Sequence, residues 1–146
     1  MEVDTVLVPV DGSEEAMEAV EYAVAIAERY DAGVHALYVL GEEAATAMQE
    51  GAVEAAAIAR RSEQVMAGVR ALAGDCDVPV DHSSAYGFSQ TRLSQHPGSV
   101  ILDVAESLET DFVVVPREPV TGNPEAVIEK AAEYVLAHAS QPVLSV

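Results

Sequence analysis

A chain of 146 residues, half of them hydrophobic, suits one domain with a full core and is short for two of ordinary size. Its 25 Asp and Glu against 7 Lys and Arg leave a formal charge of −18, which argues against nucleic acid and against anionic membrane surfaces as partners. A single cysteine, Cys76, excludes an intramolecular disulfide or a cysteine-based metal site, and no apolar run approaches the roughly 18 residues of a membrane span.

The acids are dispersed along the chain, and the hydrophobic content is too high and too periodic for disorder. Dispersed acid, a lone lysine (Lys130) and many small apolar residues resemble proteins adapted to a high-salt cytoplasm, where screening suppresses self-repulsion beyond a few ångströms. The first strand-like run begins almost at once, with no charged-then-apolar leader before it, so the cytoplasm is the expected location.

In chain order, Thr5 to Val10 is a nearly unbroken apolar run, as in a parallel strand buried on both faces. Asp11-Gly12-Ser13 supplies a turn and a helix N-cap, with Glu14 and Glu15 in the favourable first turn. Ala16, Val20, Ala23, Val24 and Ala27 follow at helical spacing, and the helix is expected to end before Gly33. Val34 to Leu40 reads as a second strand. Residues 41 to 52, acidic and small, read as a loop or short helix.

A long helix then places Ile58, Val65, Val69, Leu72 and Ala73 on one face and ends at Gly74-Asp75. A third strand runs from Val78 to about Tyr86, at an edge because of its prolines. Residues 87 to 96 are polar without period and read as a loop. Pro97-Gly98-Ser99 opens a helix with Ile101, Val104, Ala105 and Leu108 on one side. Asp111 to Val115 is a fourth buried strand. Asn123 is a good N-cap and Pro124 suits the first helical position, ahead of a core stripe of Val127, Ile128, Ala131, Val135 and Leu136. Pro142 to Val146 is a terminal strand. Strict alternation of strand and helix over residues 1–146, with no boundary, linker or repeat, predicts an α/β domain: a parallel sheet with helices on both faces and right-handed crossovers.

Little in the chain looks catalytic. His35, His82, His96 and His138 are not spaced as a metal set with one another or with acids. Ser83, Ser84, Ser89, Ser94 and Ser99 lie in no G-x-S-x-G elbow, and neither phosphate-binding glycine motif occurs. No nucleophile, acid/base pair or metal site can be assembled, so enzymatic activity is not expected. Asp11 stands apart. At the C-terminal end of the first strand, its carboxylate suits a ribose or adenine donor; the plainer alternative is that it caps the helix with Ser13. Residues 116 to 130, PREPVTGNPEAVIEK, occupy the strand–loop–helix position where many α/β proteins hold phosphate. Their chemistry opposes it: Pro116, Pro119 and Pro124 have no N–H to donate, and Glu118, Glu125 and Glu129 repel an anion.

The opening VLVPVDGSEEAMEAVEYAVAIA and the ending DFVVV…EYVLAHASQPVLSV are similar to those of universal stress proteins, and the order of elements fits along the whole chain. The resemblance implies an open five-stranded parallel sheet in the order 3-2-1-4-5, a Rossmann-like fold of the adenine-nucleotide alpha hydrolase type. It also implies a homodimer, often made through the terminal strand, here residues 142–146. One branch of the family binds ATP through G-x-x-G followed by G-[ST]. An ungapped alignment puts those positions on Pro116, Pro119, Glu129 and Lys130, and all four depart from the motif. Asp11 matches the family's adenine- or ribose-side aspartate, while the glycine turn before the third helix is altered to Gln95-His96-Pro97. The expectation is a stress-response or interaction module without cofactor. The alternative is a protein that binds ATP or another adenine nucleotide through Asp11 and a rebuilt anion site at Gly122, Asn123 and the helix N-terminus.

Overall fold

The computed structural model describes residues 2–40, 50–51, 54–86, 97–117 and 127–146. Five strands and four helices alternate: β1 (Thr5–Val10), α1 (Glu14–Tyr30), β2 (Gly33–Leu40), α2 (Ala55–Gly74), β3 (Val80–Tyr86), α3 (Pro97–Ser107), β4 (Phe112–Val115), α4 (Val127–His138) and β5 (Val143–Ser145). All strand pairs are parallel, in the order β3-β2-β1-β4-β5. Most of residues 41 to 52, all of 87 to 96, and Gly122, Asn123 and Pro124 lie outside the described residues.

β1 is the middle strand, and its alternation divides the core. Val6, Val8 and Val10 face a layer with Val20, Val24, Met66 and Val69 of α1 and α2, whereas Leu7 faces Leu37, Ile101, Ala105, Val113 and Val135 on the side of α3 and α4. Burial on both faces explains why the strand sequences are continuous apolar runs. The start of β1 is pinned by Asp111, whose Oδ2 accepts the N–H groups of Asp4 (2.8 Å) and Thr5 (3.1 Å) while its own N–H donates to the Thr5 carbonyl (3.0 Å). Hydrogen bonds to a charged acceptor are the stronger kind, about 1.5–3 kcal/mol each.

Ser13 caps α1 as expected, its Oγ accepting the Ala16 N–H at 3.1 Å. The helix ends differ from the sequence reading. Gly33 and Gly74 do not stop their helices: Gly33 is already the first residue of β2 and Gly74 the last of α2. The left-handed positions are Asp31 (φ 56°), Asp77 (φ 54°) and Glu109 (φ 51°). In each case the next amide reaches back five residues: Ala32 to Ala27, Val78 to Ala73, Thr110 to Ala105. Val78 is thereby taken into a helix cap and buried, so β3 starts at Val80. Leu136 and Leu108, expected on core stripes, are about half exposed (51% and 42%), whereas Ala132 and Val100 are buried. Leu108 already lies past the end of α3, so the helical spacing no longer sets its direction.

α3 and α4 meet at Gly98. A Cβ there would stand 2.6 Å from Cδ1 and 2.8 Å from Cβ of Tyr134, closer than any real contact. Gly98→Ala therefore forces α3 and α4 apart or swings the ring, with an expected loss of about 1–3 kcal/mol in urea unfolding. An unchanged midpoint would show that Tyr134 moves aside freely.

Candidate functional site

In an open parallel sheet, a crevice forms where the chain leaves the carboxyl ends of two neighbouring strands in opposite directions. Here that point lies between β1, which leads to β2, and β4, which leads to β5. Val6 pairs with Phe112 and Leu7 with Val113, and continuing that register brings Val10 level with Pro116. Asp11 and the segment after β4 are therefore neighbours at one edge of the sheet.

Asp11 follows the last residue of β1 and is 5% exposed. Its Oδ1 accepts the Ser13 N–H at 2.9 Å, so the carboxylate does cap the turn into α1. Gly12 makes the turn possible with φ +88°. The space over Gly12 is occupied from α2: a Cβ on Gly12 would lie 3.5 Å from Nη2 of Arg61 and 3.5 Å from Cγ2 of Val65. Sequence reasoning did not single out Arg61. Its only signal was scarcity, as one of seven basic residues.

Across the crevice, Pro116 is buried directly after β4, and the Arg117 N–H is committed to the Val146 carbonyl at 2.7 Å. Two backbone positions at the start of this segment are thus closed to an anion, one for want of a hydrogen and one by a bond to β5. Glu129 and Lys130 fall in the first turn of α4. Gly122 and Asn123, the candidate anion-binding residues of the alternative reading, lie outside the described residues.

The remaining candidates stand away from this edge. His35 on β2 is half-buried, and its Nε2 is 2.8 Å from Ser83 Oγ on β3. Burial holds its pKa below the ordinary 6.5, with Asp81 opposing and His82 reinforcing the shift. The His138 and Tyr134 rings are 4.5 Å apart and line a recess of about 210 Å³ with Asp103 and Glu106, on the face of the sheet opposite α1. The Cys76 thiol is pushed up first by its hydrogen bond with the Glu28 carboxylate, then by burial and nearby acids. That keeps it protonated and a poor nucleophile. Among the described residues no three His, Cys, Asp or Glu side chains are grouped to hold a metal, and no helix is long and apolar enough to cross a membrane.

With that geometry, the comparisons with known proteins are consistent. The model of the universal stress protein family matches residues 2–146, and the chain belongs to that family. A universal stress protein of Methanocaldococcus jannaschii is 26% identical over 144 residues, covering 97% of this chain and 80% of that protein. The solved structure of the universal stress protein UspA from Lactobacillus plantarum superposes with a TM-score of 0.78 at 26% identity, covering 100% of this chain and 99% of that one. The universal stress protein from Archaeoglobus fulgidus, solved in complex with dAMP, shares the fold with a TM-score of 0.67 at 16% identity, covering 99% and 98% of the two chains.

The His35 environment yields a pH prediction. Because its folded-state pKa lies below the unfolded value, the unfolded chain binds more protons as pH falls from about 6.5 through the folded pKa. Stability from this group is therefore complete above pH ~6.5 and is lost on acidification through that window. Urea midpoints at pH 7 and 5.5 should fall further for the wild type than for His35→Gln. Equal falls would show that the burial of His35 has no proton linkage.

Proposed function

We propose that this universal stress protein is of the kind that does not bind ATP, a stress-response or interaction module with no catalytic activity of its own. The observation that carries the reading is the sequence after β4. Pro116 and Pro119 remove backbone donors where the ATP-binding branch has glycines and hold φ near −65°. Glu129 puts a carboxylate where the third glycine would admit a phosphate, and Glu118 and Glu125 add negative potential. Lys130 offsets one charge but is outnumbered. Losing two or three charge-assisted hydrogen bonds, at ~1.5–3 kcal/mol each, weakens ATP binding by several orders of magnitude. Calorimetry with ATP and magnesium in high salt should give no binding at physiological concentration; a dissociation constant in the low micromolar range would sink the reading. Pro116→Gly, Pro119→Gly, Glu129→Gly and Lys130→Ser together should move the protein towards binding.

A second reading is favoured by the dAMP complex of the Archaeoglobus fulgidus relative. On it, Asp11 receives the nucleoside of an adenine nucleotide, and Gly122, Asn123 and the helix N-terminus receive the phosphate. An adenine nucleotide carried through purification and identified by mass spectrometry would favour this reading over the first.

We infer a homodimer through residues 142–146. The Val113 N–H bonds to the Pro142 carbonyl and the Val146 N–H to the Val115 carbonyl, both at 3.0 Å, so the even-numbered residues of β5 turn their backbone towards β4. The strand period then turns the backbone groups of Val143 and Ser145 outwards, and an apolar edge of that kind invites a second copy about a two-fold axis. Light scattering at micromolar concentration in high salt should give the mass of two chains. Ser145→Pro, which removes an outward N–H, should give one; a monomeric wild type would end the inference.

The composition supports adaptation to a salt-rich cytoplasm, with neither nucleic acid nor membrane as a partner. At −18, self-repulsion is strong when the Debye length is roughly 30 Å, at 0.01 M salt, and weak near ~3 Å, at 1 M. The melting temperature should rise markedly from dilute buffer to molar KCl. A flat response would remove salt adaptation and, with it, the argument for this compartment.

A further inference from the structure

The turn between β1 and α1 has one residue without a side chain, Gly12, and the guanidinium of Arg61 lies across it. Nη2 is 3.5 Å and Nε 3.8 Å from the place a Cβ would take. Arg61 is carried on the first half of α2, and Val65, one turn further on, packs against the same spot. Any residue larger than glycine would lift both off the turn, so the left-handed Gly12 and the arginine belong to one arrangement. Next to Gly12 is Asp11, 5% exposed and held by the Ser13 N–H, while Arg61 keeps more than a third of its surface in water.

We propose that Arg61 is a specificity-determining residue, a strap that closes the corner beside Asp11 against nucleosides. The proposal rests on the reading that Asp11 marks the nucleotide corner of this family member. A carboxylate with so little exposure, in a chain of −18, is costly to leave without cationic compensation. A ribose hydroxyl or adenine amine offers a neutral donor. It replaces the hydrogen bond and not the charge, so displacing the guanidinium is unfavourable. The seven basic residues of this chain make such a strap hard to replace from elsewhere on the surface.

Adenosine is the probe, because it carries no phosphate and the segment after β4 cannot repel it. Binding is read by ligand-observed NMR in high salt for the wild type, Arg61→Ala, Arg61→Gln, and Arg61→Ala combined with Asp11→Asn, with folding checked by circular dichroism. Arg61→Ala should bind adenosine about tenfold more tightly than the wild type or better, and Asp11→Asn should remove the gain. Arg61→Gln, which keeps a polar chain over Gly12 and loses the charge, should show a smaller gain and carries the comparison if the alanine variant does not fold. Affinities equal within about twofold, or weaker in the variants, would overturn the strap. ATP titration of the wild type is read separately. Tight ATP binding defeats the proposed function whatever adenosine does, and unchanged adenosine binding defeats the strap while leaving that function standing.

Discussion

The constraint on which the molecule depends is the burial of β1 on every side. It is hydrogen-bonded to β2 and β4, and Val6, Leu7, Val8 and Val10 are without exposed surface. A strand in that position has no polar face to spare, and a one-residue slip would exchange the layers that Leu7 and its neighbours enter. The register is fixed at the N-terminal end by the Asp111 carboxylate on the amides of Asp4 and Thr5. At the other end the backbone first becomes free of the sheet at Asp11. Polar chemistry can therefore begin only there, at the mouth between β1 and β4.

The fold was legible because its signals are local and repeated: five apolar runs, four helical periods and capping residues such as Ser13 in the expected place. Strand order is a different matter. Periodicity could say that the sheet is parallel, and the resemblance of the two chain ends supplied 3-2-1-4-5, which the structure has. Helix ends were misread where glycine was taken as the stop. Asp31, Asp77 and Glu109 adopt the left-handed conformation that Gly33 and Gly74 were expected to mark, because the buried residue that follows each acid, Ala32, Val78 and Thr110, draws the chain back onto the core. Leu136 shows the converse limit. An apolar residue at helical spacing is not bound to the core, and here Ala132 takes the close approach instead.

The site was half legible. Asp11 was marked by its place at a strand end, and the structure shows it capping the turn through Ser13. Arg61 was not marked, because its place over Gly12 joins segments far apart in the sequence, and no local pattern encodes such a meeting. The chemistry after β4 reads directly from residue types: a proline has no amide hydrogen wherever the loop goes. Charge gives these few contacts their weight. With so few cations, a pair such as Arg70 with Glu63, exposed on α2, contributes little to stability, whereas a guanidinium lying over the turn beside a buried carboxylate is a different kind of contact.

The strand order also has a consequence in time. β1 is made first, yet the strand that covers its second edge, β4, comes about 100 residues later, roughly 5–20 s at typical rates of synthesis. Through that interval β1 and β2 can pair while the other edge of β1 stays open, an apolar template for any neighbouring nascent chain. The same dispersed acids that burden the finished fold would keep such chains apart while it is being completed.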